Sequence, residues 1–230
     1  MFKNRSYEEE IMDDLDASGP IIPQTLKELE IINQRLGGNY VTTNGLDQLM
    51  PESPTKKLKI ADLGCGGGDI LMLVAKWAKK RGYDVELVGF DANPHIIDYA
   101  KENCKEFSEI TFAVQDIFSE EFKNQKFDVI LCTLFTHHFH EDDLIRIFKQ
   151  FKKQSILGVI INDLHRHWLA YYSIKLLTTL FSKSEMVKND GPLSVKRAFK
   201  KVELEQIMMS AAISSFKLKW MWAFRWQLIF

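Results

Sequence analysis

The chain is poor in cysteine, with three in 230 residues. Cys65, Cys104 and Cys132 make an odd set with no metal-ligand pairing, so free buried thiols in a reducing cytoplasm are expected. Charge of one sign is also lacking: 30 Lys and Arg face 31 Asp and Glu, for a net charge of −1. Without a basic surplus nothing draws the chain to a phosphate backbone, and nucleic acid is not expected as a partner. No apolar run is long enough to span a bilayer, and no charged-then-apolar leader is present. A cytoplasmic protein without stable membrane insertion is therefore expected. Internal repeats and low-complexity tracts are missing too. The length suits one domain with decorations.

What is present is a glycine turn. Ile60-Ala61-Asp62-Leu63-Gly64-Cys65-Gly66-Gly67-Gly68-Asp69-Ile70 runs from an apolar strand, through four glycines in five residues, into a helix expected over 69–81. Glycine lets the backbone turn tightly and approach a ligand, and the helix aims its free N–H groups at the turn. A parallel α/β sheet holds a nucleotide-like cofactor in this way. The dinucleotide fingerprint needs its third glycine where Asp69 stands. An acid there repels a pyrophosphate, so NAD and FAD fit poorly. Asp62, just before the glycines, suits a cationic or amino-bearing ligand.

Further strands follow in order. Val85-Glu86-Leu87-Val88-Gly89-Phe90-Asp91 ends in an acid placed to take two ribose hydroxyls, unless Asp91 merely caps a helix. Asn93 is a cap and Pro94 a first helical residue. A third strand is expected over 110–117, ending in Asp116 and Ile117, and a fourth over 127–133, ending in Thr133. Asp116 taken alone also reads as a loop acid.

The pattern D-L-G-C-G-G-G with these elements resembles the class I S-adenosylmethionine-dependent methyltransferases, over about residues 55–165. The resemblance implies S-adenosyl-L-methionine as cofactor. It sets Gly64, Cys65, Gly66 and Gly68 against the amino-acid end, with Asp62 near its amino group. It sets Asp91 and Ala92 at the ribose, Asp116 at the adenine amino group, Ile117 over the ring, and Thr133 beside the methyl donor. It implies an α/β, Rossmann-like seven-stranded sheet with an antiparallel last strand, helices on both faces and an N-terminal helical cap. Two strands over 216–222 and 224–230, joined by a very short turn, would close that sheet.

Residues 1–36 read as helical. An acidic stretch over 7–16 carries Ile11, Met12 and Leu15 as a stripe, Gly19-Pro20 breaks it, and a helix follows over 24–36. Met50-Pro51-Glu52-Ser53-Pro54 marks a boundary, giving a cap over 1–54 and a core over 55–230. The cap either closes over the cofactor and substrate or only covers the sheet edge.

Methyl transfer needs two reactants held at attack distance with water excluded, and a phenolic proton calls for a base. Two segments at the ligand-bearing edge supply histidines. Thr136-His137-His138-Phe139-His140 resembles the matching segment of ubiquinone and menaquinone methyltransferases. There His138 is expected in the cofactor shell or packed at a helix start and His137 on the substrate side, unless both are structural. Zinc is not expected, because adjacent histidines should point apart and no cysteine or acid stands at partner spacing. Asn162-Asp163-Leu164-His165-Arg166-His167-Trp168 follows a fifth strand over 156–161. His165 is the first choice of general base, with Asp163 or Arg166 orienting it or the substrate. The plainer reading has Asp163 capping the next helix.

A helix over 169–181, carrying Tyr171, is apolar nearly all round, so it is buried or faces a greasy partner. Asn189-Asp190-Gly191-Pro192 signals a turn, and Arg197 on the helix after it is a candidate for an anionic oxygen. This insertion, about 163–205, is expected to form the substrate pocket, with Tyr171 in it. D-L-H-R-x-x-L-A-Y-Y and N-D-G-P-L-S-V-x-R-A-F are similar to a bacterial subgroup linked to phenolic lipid and quinone polyketide pathways. The expected function is methylation of a small hydrophobic aromatic acceptor, on a phenolic or quinol hydroxyl first and on a ring carbon second. A non-catalytic cofactor-binding protein is the alternative, and the chain would act as a monomer or homodimer.

Overall fold

Strands β1 (Leu58–Leu63), β2 (Val85–Asp91), β3 (Ile110–Val114), β4 (Phe127–Thr133) and β5 (Ser155–Leu164) are apolar runs, as sheet strands covered on both faces must be. They pair in parallel. β6 (Lys217–Met221) and β7 (Arg225–Ile229) complete a seven-stranded sheet of order β3-β2-β1-β4-β5-β7-β6, in which β7 runs antiparallel to both neighbours. The computed structural model describes residues 2–52 and 56–230, and the expected boundary at Ser53-Pro54 lies outside the described residues.

Helices α1 (Ile21–Arg35), α2 (Gly38–Leu49), α3 (Asp69–Arg81), α4 (Pro94–Asn103), α5 (Glu120–Lys123) and α6 (Glu141–Gln154) come before or between the first five strands. Then α7 (Trp168–Phe181), α8 (Glu185–Arg197) and α9 (Lys201–Ser210) form the insertion. One core lies on each sheet face. Phe148 and Phe151 of α6 share one with Leu63 and Ile130, while Leu71 and Val74 of α3 share the other with Ile60 and Leu131. Asn93 caps α4, its Oδ1 accepting from His95 N at 2.8 Å, with Pro94 at the first helical position.

Three expectations of the chain path need correction, and one helix is added. The acidic stretch over 7–16 is not a helix; only Ile11–Asp13 makes one 3₁₀ turn. Its backbone is held instead by α8, where the Asp190 carboxylate accepts from Ile11 N and Met12 N at 2.9 and 3.0 Å. Asn189-Asp190-Gly191-Pro192, expected as a turn, lies inside α8. Gly191 lies against Ile174 and Thr178 of α7, so tertiary packing overrides local propensity. The third strand ends at Val114 rather than continuing to 117. α2, rich in Gly, Asn and Thr, was not expected; it is secured by the sheet, with Asn162 donating to Gly38 O and Gln227 to Val41 O.

Candidate active site

Three carboxylates crowd the glycine turn. Asp62 is buried and its Oδ1 has no hydrogen-bond partner. Burial, then the charges of Asp69 and Asp91, push its carboxyl well above the usual range. Asp69 at the start of α3 is pushed to about 6 by burial and then by Glu30. Burial also raises Asp91, although it accepts from Asn93 N and Gly66 N at 3.0 and 3.3 Å and lies near Ala92 N–H. An unpartnered buried acid among other acids is what a cationic, amino-bearing ligand relieves and what a pyrophosphate worsens. S-adenosylmethionine, a sulfonium with an amino group and no phosphate, fits these residues.

The turn leaves no room for a side chain. Gly64 has φ +65°, and a Cβ there would stand 2.2 Å from the Phe135 ring. Gly68 has φ +79°, and its Cβ would meet Cys104 Sγ at 2.6 Å. Gly66 is also left-handed, at φ +50°. Cys65, Cys104 and Cys132 are buried and unpaired, and burial raises the thiol of Cys65. At the other strand ends, exposed Asp116 accepts from Phe118 N at 2.8 Å, and Ile117 is buried in the core. Thr133 Oγ1 lies 3.4 Å from Thr42 Oγ1.

A second polar cluster stands beyond β4. Leu134 takes φ +54°, a costly conformation for leucine, and the chain turns at once into Thr136–His138. β5 runs through Leu164, beyond its expected end, so Asp163 is a strand residue rather than a helix cap. Fully buried Asp163 accepts from Thr136 Oγ1 at 2.6 Å, His137 N at 3.0 Å and His137 Nδ1 at 2.7 Å. On the other side of the ring, His137 Nε2 faces Glu10 Oε1 at 3.6 Å, and neither atom has a hydrogen-bond partner. Burial opposes the imidazolium, but Asp163 and then Glu10 outweigh it and raise His137 to about 9. Burial likewise opposes the Asp163 charge, and His137 holds it well below the carboxylate range.

Arg197 fastens the extended N-terminal segment here, donating to Asp13 Oδ2 at 2.5 Å and to His138 O at 2.9 Å. Asp13 Oδ1 in turn holds His138 Nδ1 at 2.5 Å. Arg5 donates to the carbonyls of His137 and Phe139. The adjacent histidines do not point apart: the 3₁₀ turn leaves their ring centroids 4.3 Å from each other. Glu10, His137 and His138 each bring a ligand atom within 4.8 Å of the others, so an acid does stand at partner distance.

Glu10, His137 and His138 of this cluster line an apolar cavity of about 330 Å³, together with Met12, Leu29, Ile32, Leu36, Leu134 and Ile174. Glu10 and Asp13 gave no signal in the sequence, because an acidic segment is ordinarily a solvated face.

Three candidates fall elsewhere, and a fourth, Arg197, stays in the cluster in another role. His165 is not among the lining residues; its Nδ1 accepts from Trp220 Nε1 at 3.2 Å and its ring packs on Trp226. Burial, then His167 and Arg166, push it down to about 4. The longer β5 carries it past the cavity, so Asp163 orients His137 and not His165. Arg166 is fully buried, paired with Glu203 and donating to the carbonyls of Ala198, Phe2 and Lys3. It is a structural rivet, not a substrate contact. Arg197 is neutralised by Asp13 and lies 3.7 Å from Glu10, so it organises the cluster rather than awaiting an anion. Tyr171 packs edge-on against Phe2 and Tyr172, outside the lining set. Arg166→Ala is expected to cost about 3 kcal/mol of stability, because it strands Glu203 and several carbonyls. Urea unfolding checks this, and cofactor binding by the folded fraction should not change.

Among the described residues no helix is long and apolar enough to cross a membrane. The family model "Methyltransferase domain" matches residues 54–221. A carboxy-S-adenosyl-L-methionine synthase from Helicobacter pylori strain P12 is 26% identical over 133 residues, 57% of this chain and 51% of that protein. A ubiquinone/menaquinone biosynthesis C-methyltransferase from Rickettsia prowazekii is 31% identical over 85 residues, 36% of this chain and 34% of that protein. The chain thus spans about half the length, or less, of the curated relatives it matches. The structure of magnesium protoporphyrin IX methyltransferase from Synechocystis PCC 6803, with bound S-adenosylmethionine, superposes with a TM-score of 0.55 at 14% identity. That match covers 95% of this chain and 87% of the other. With this sheet order and this glycine turn, the chain belongs to the methyltransferase domain family and has the class I S-adenosylmethionine-dependent fold.

Proposed function

We propose that the protein moves a methyl group from S-adenosylmethionine to a hydroxyl of a small hydrophobic aromatic acceptor held in the apolar cavity. The observation that carries this is the line Glu10–His137–Asp163, of which Glu10 and His137 line the cavity and Asp163 stands behind them, with two unpartnered buried atoms facing each other. The cofactor, when bound at the turn, supplies a methyl carbon already activated by its sulfonium. Asp62 takes the amino group and Asp91 the ribose hydroxyls.

Asp163 holds a proton on Nδ1 of His137, so the neutral ring, the form that predominates above about pH 9, leaves Nε2 for the acceptor's proton. A phenol near pKa 10 is matched to an imidazole of about 9. The proton therefore passes at little cost, and phenolate with imidazolium is the pair that reacts. Glu10 stabilises that imidazolium. Apolar walls exclude water, and α1 and the extended segment before it line the cavity as a cap.

Feeding methyl-labelled S-adenosylmethionine to an extract of the source cells tests this. Label should enter the organic-soluble pool and fall with Asp62→Asn at limiting S-adenosylmethionine; label in RNA or protein overturns the acceptor class. The approach of Glu10, His137 and His138 favours a second reading, in which a divalent cation binds the acceptor oxygen. Labelling that survives exhaustive EDTA dialysis excludes it, and loss restored by one added metal establishes it. Product mass spectra with deuterated methyl separate oxygen from ring-carbon methylation.

A further inference from the structure

Helix α7 is covered on one side only. Only Ala170 and Thr178 of its residues are buried. Trp168, Tyr172, Leu176 and Leu180 recur every fourth residue and form one exposed stripe, with Phe181 77% exposed at its end. Its inner side packs on α8, with Gly191 against Ile174 and Thr178. A helix this apolar would normally be inside a core.

We propose that α7 docks the protein on the surface of a lipid bilayer, lying in the interfacial plane. At 14 residues it is about 21 Å long, too short for a hydrocarbon core of about 30 Å, but right for lying at its edge. Charge is complementary to anionic headgroups. Lys175 is the one charged side chain on the helix and no acid interrupts the stripe, while beyond its end Lys183 stands beside Glu28, whose carboxylate accepts from Lys183 N, and before Glu185. Trp and Tyr, the residues that settle at headgroup level, stand at its start. The surface continues through His167, stacked on Phe224 at 5.2 Å, to Trp222, which is 68% exposed. Trp222 also lines the apolar cavity, together with Ile174 and Leu177 of α7. The cavity thus adjoins the docking face at Trp222 and Leu177, and, resting on the proposed function, an apolar acceptor would reach it from the membrane.

Vesicle flotation tests the docking without any methyl-transfer readout, so it stands or falls apart from the proposed acceptor. The full chain is mixed with phosphatidylcholine vesicles, or with phosphatidylcholine containing a quarter phosphatidylglycerol. The protein is expected to float with the anionic vesicles, with a blue shift in tryptophan emission. The variant Leu176→Asp/Leu180→Asp/Phe181→Asp, with circular dichroism and cofactor binding retained, is expected to lose about tenfold in partition, or more. Wild-type protein that stays unbound with both vesicles overturns the proposal. So does a dimer in sedimentation equilibrium that the triple variant splits while vesicles capture neither form, which assigns the face to a second copy.

Discussion

His137→Asn lowers kcat by about 10²–10⁴-fold while S-adenosylmethionine still binds. Asparagine retains an N–H near the Nδ1 position for buried Asp163, so the variant loses the proton acceptor without stranding the carboxylate. Single-turnover rates and calorimetric cofactor binding check this together. The wild-type profile carries the same signature. His137 titrates at about 9, and kcat/KM rises with pH up to that value before the acceptor's own ionisation bends it down. Asp163→Asn removes the charge that raises His137, so the rising limb moves toward lower pH. A profile unmoved by Asp163→Asn, or a wild-type rate in His137→Asn, removes this histidine from the chemistry. Stability follows the same group. A folded pKa raised above the unfolded one contributes fully below about 6.5 and is lost as pH rises through about 9.

Asp62→Asn is expected to act in two opposite directions. Affinity for S-adenosylmethionine falls by about 10–150-fold, the worth of about 1.5–3 kcal/mol for a charged hydrogen bond. The free protein becomes more stable, because a buried carboxylate with an unpartnered Oδ1 is replaced by a neutral amide. The sign follows from linkage. Burial raises Asp62 and Asp69, so the folded state holds protons that the unfolded state releases. Their contribution is present below about pH 4 and lost as pH rises, for Asp69 through about 6. Asp62→Asn should therefore flatten the decline in Tm between pH 4 and neutrality. A lower Tm with unchanged affinity would overturn the role given to Asp62.

The cofactor end of the site was legible because it is local. Asp62, Gly64 and Gly68 lie on one strand and the turn that leaves it, and their spacing already encodes the backbone path. β2 through Asp91 and the capped helix after it were legible for the same reason. The acceptor end is assembled from distant pieces. Asn162 and Asp163 look like loop residues, yet Gly38, Thr42, Arg225 and His137 satisfy them and let β5 continue. His165 looked better placed than His137 because the extra strand length was hidden in those contacts. Glu10 was invisible, since nothing near it in sequence explains a buried acid; the explanation is Arg197 and His137.

Asp13 and His138 meet across 125 residues of chain. During synthesis, the segment bearing Glu10 and Asp13 leaves the ribosome long before His137, Asp163 or Arg197 exists to receive it. Until then its acids stay in water, which suits a segment that is soluble when unpaired. The glycine turn and its first strands are made in the interval, so the cofactor site has its parts before the wall that handles the proton. Translation order thus makes the reactive half of the pocket the last to form.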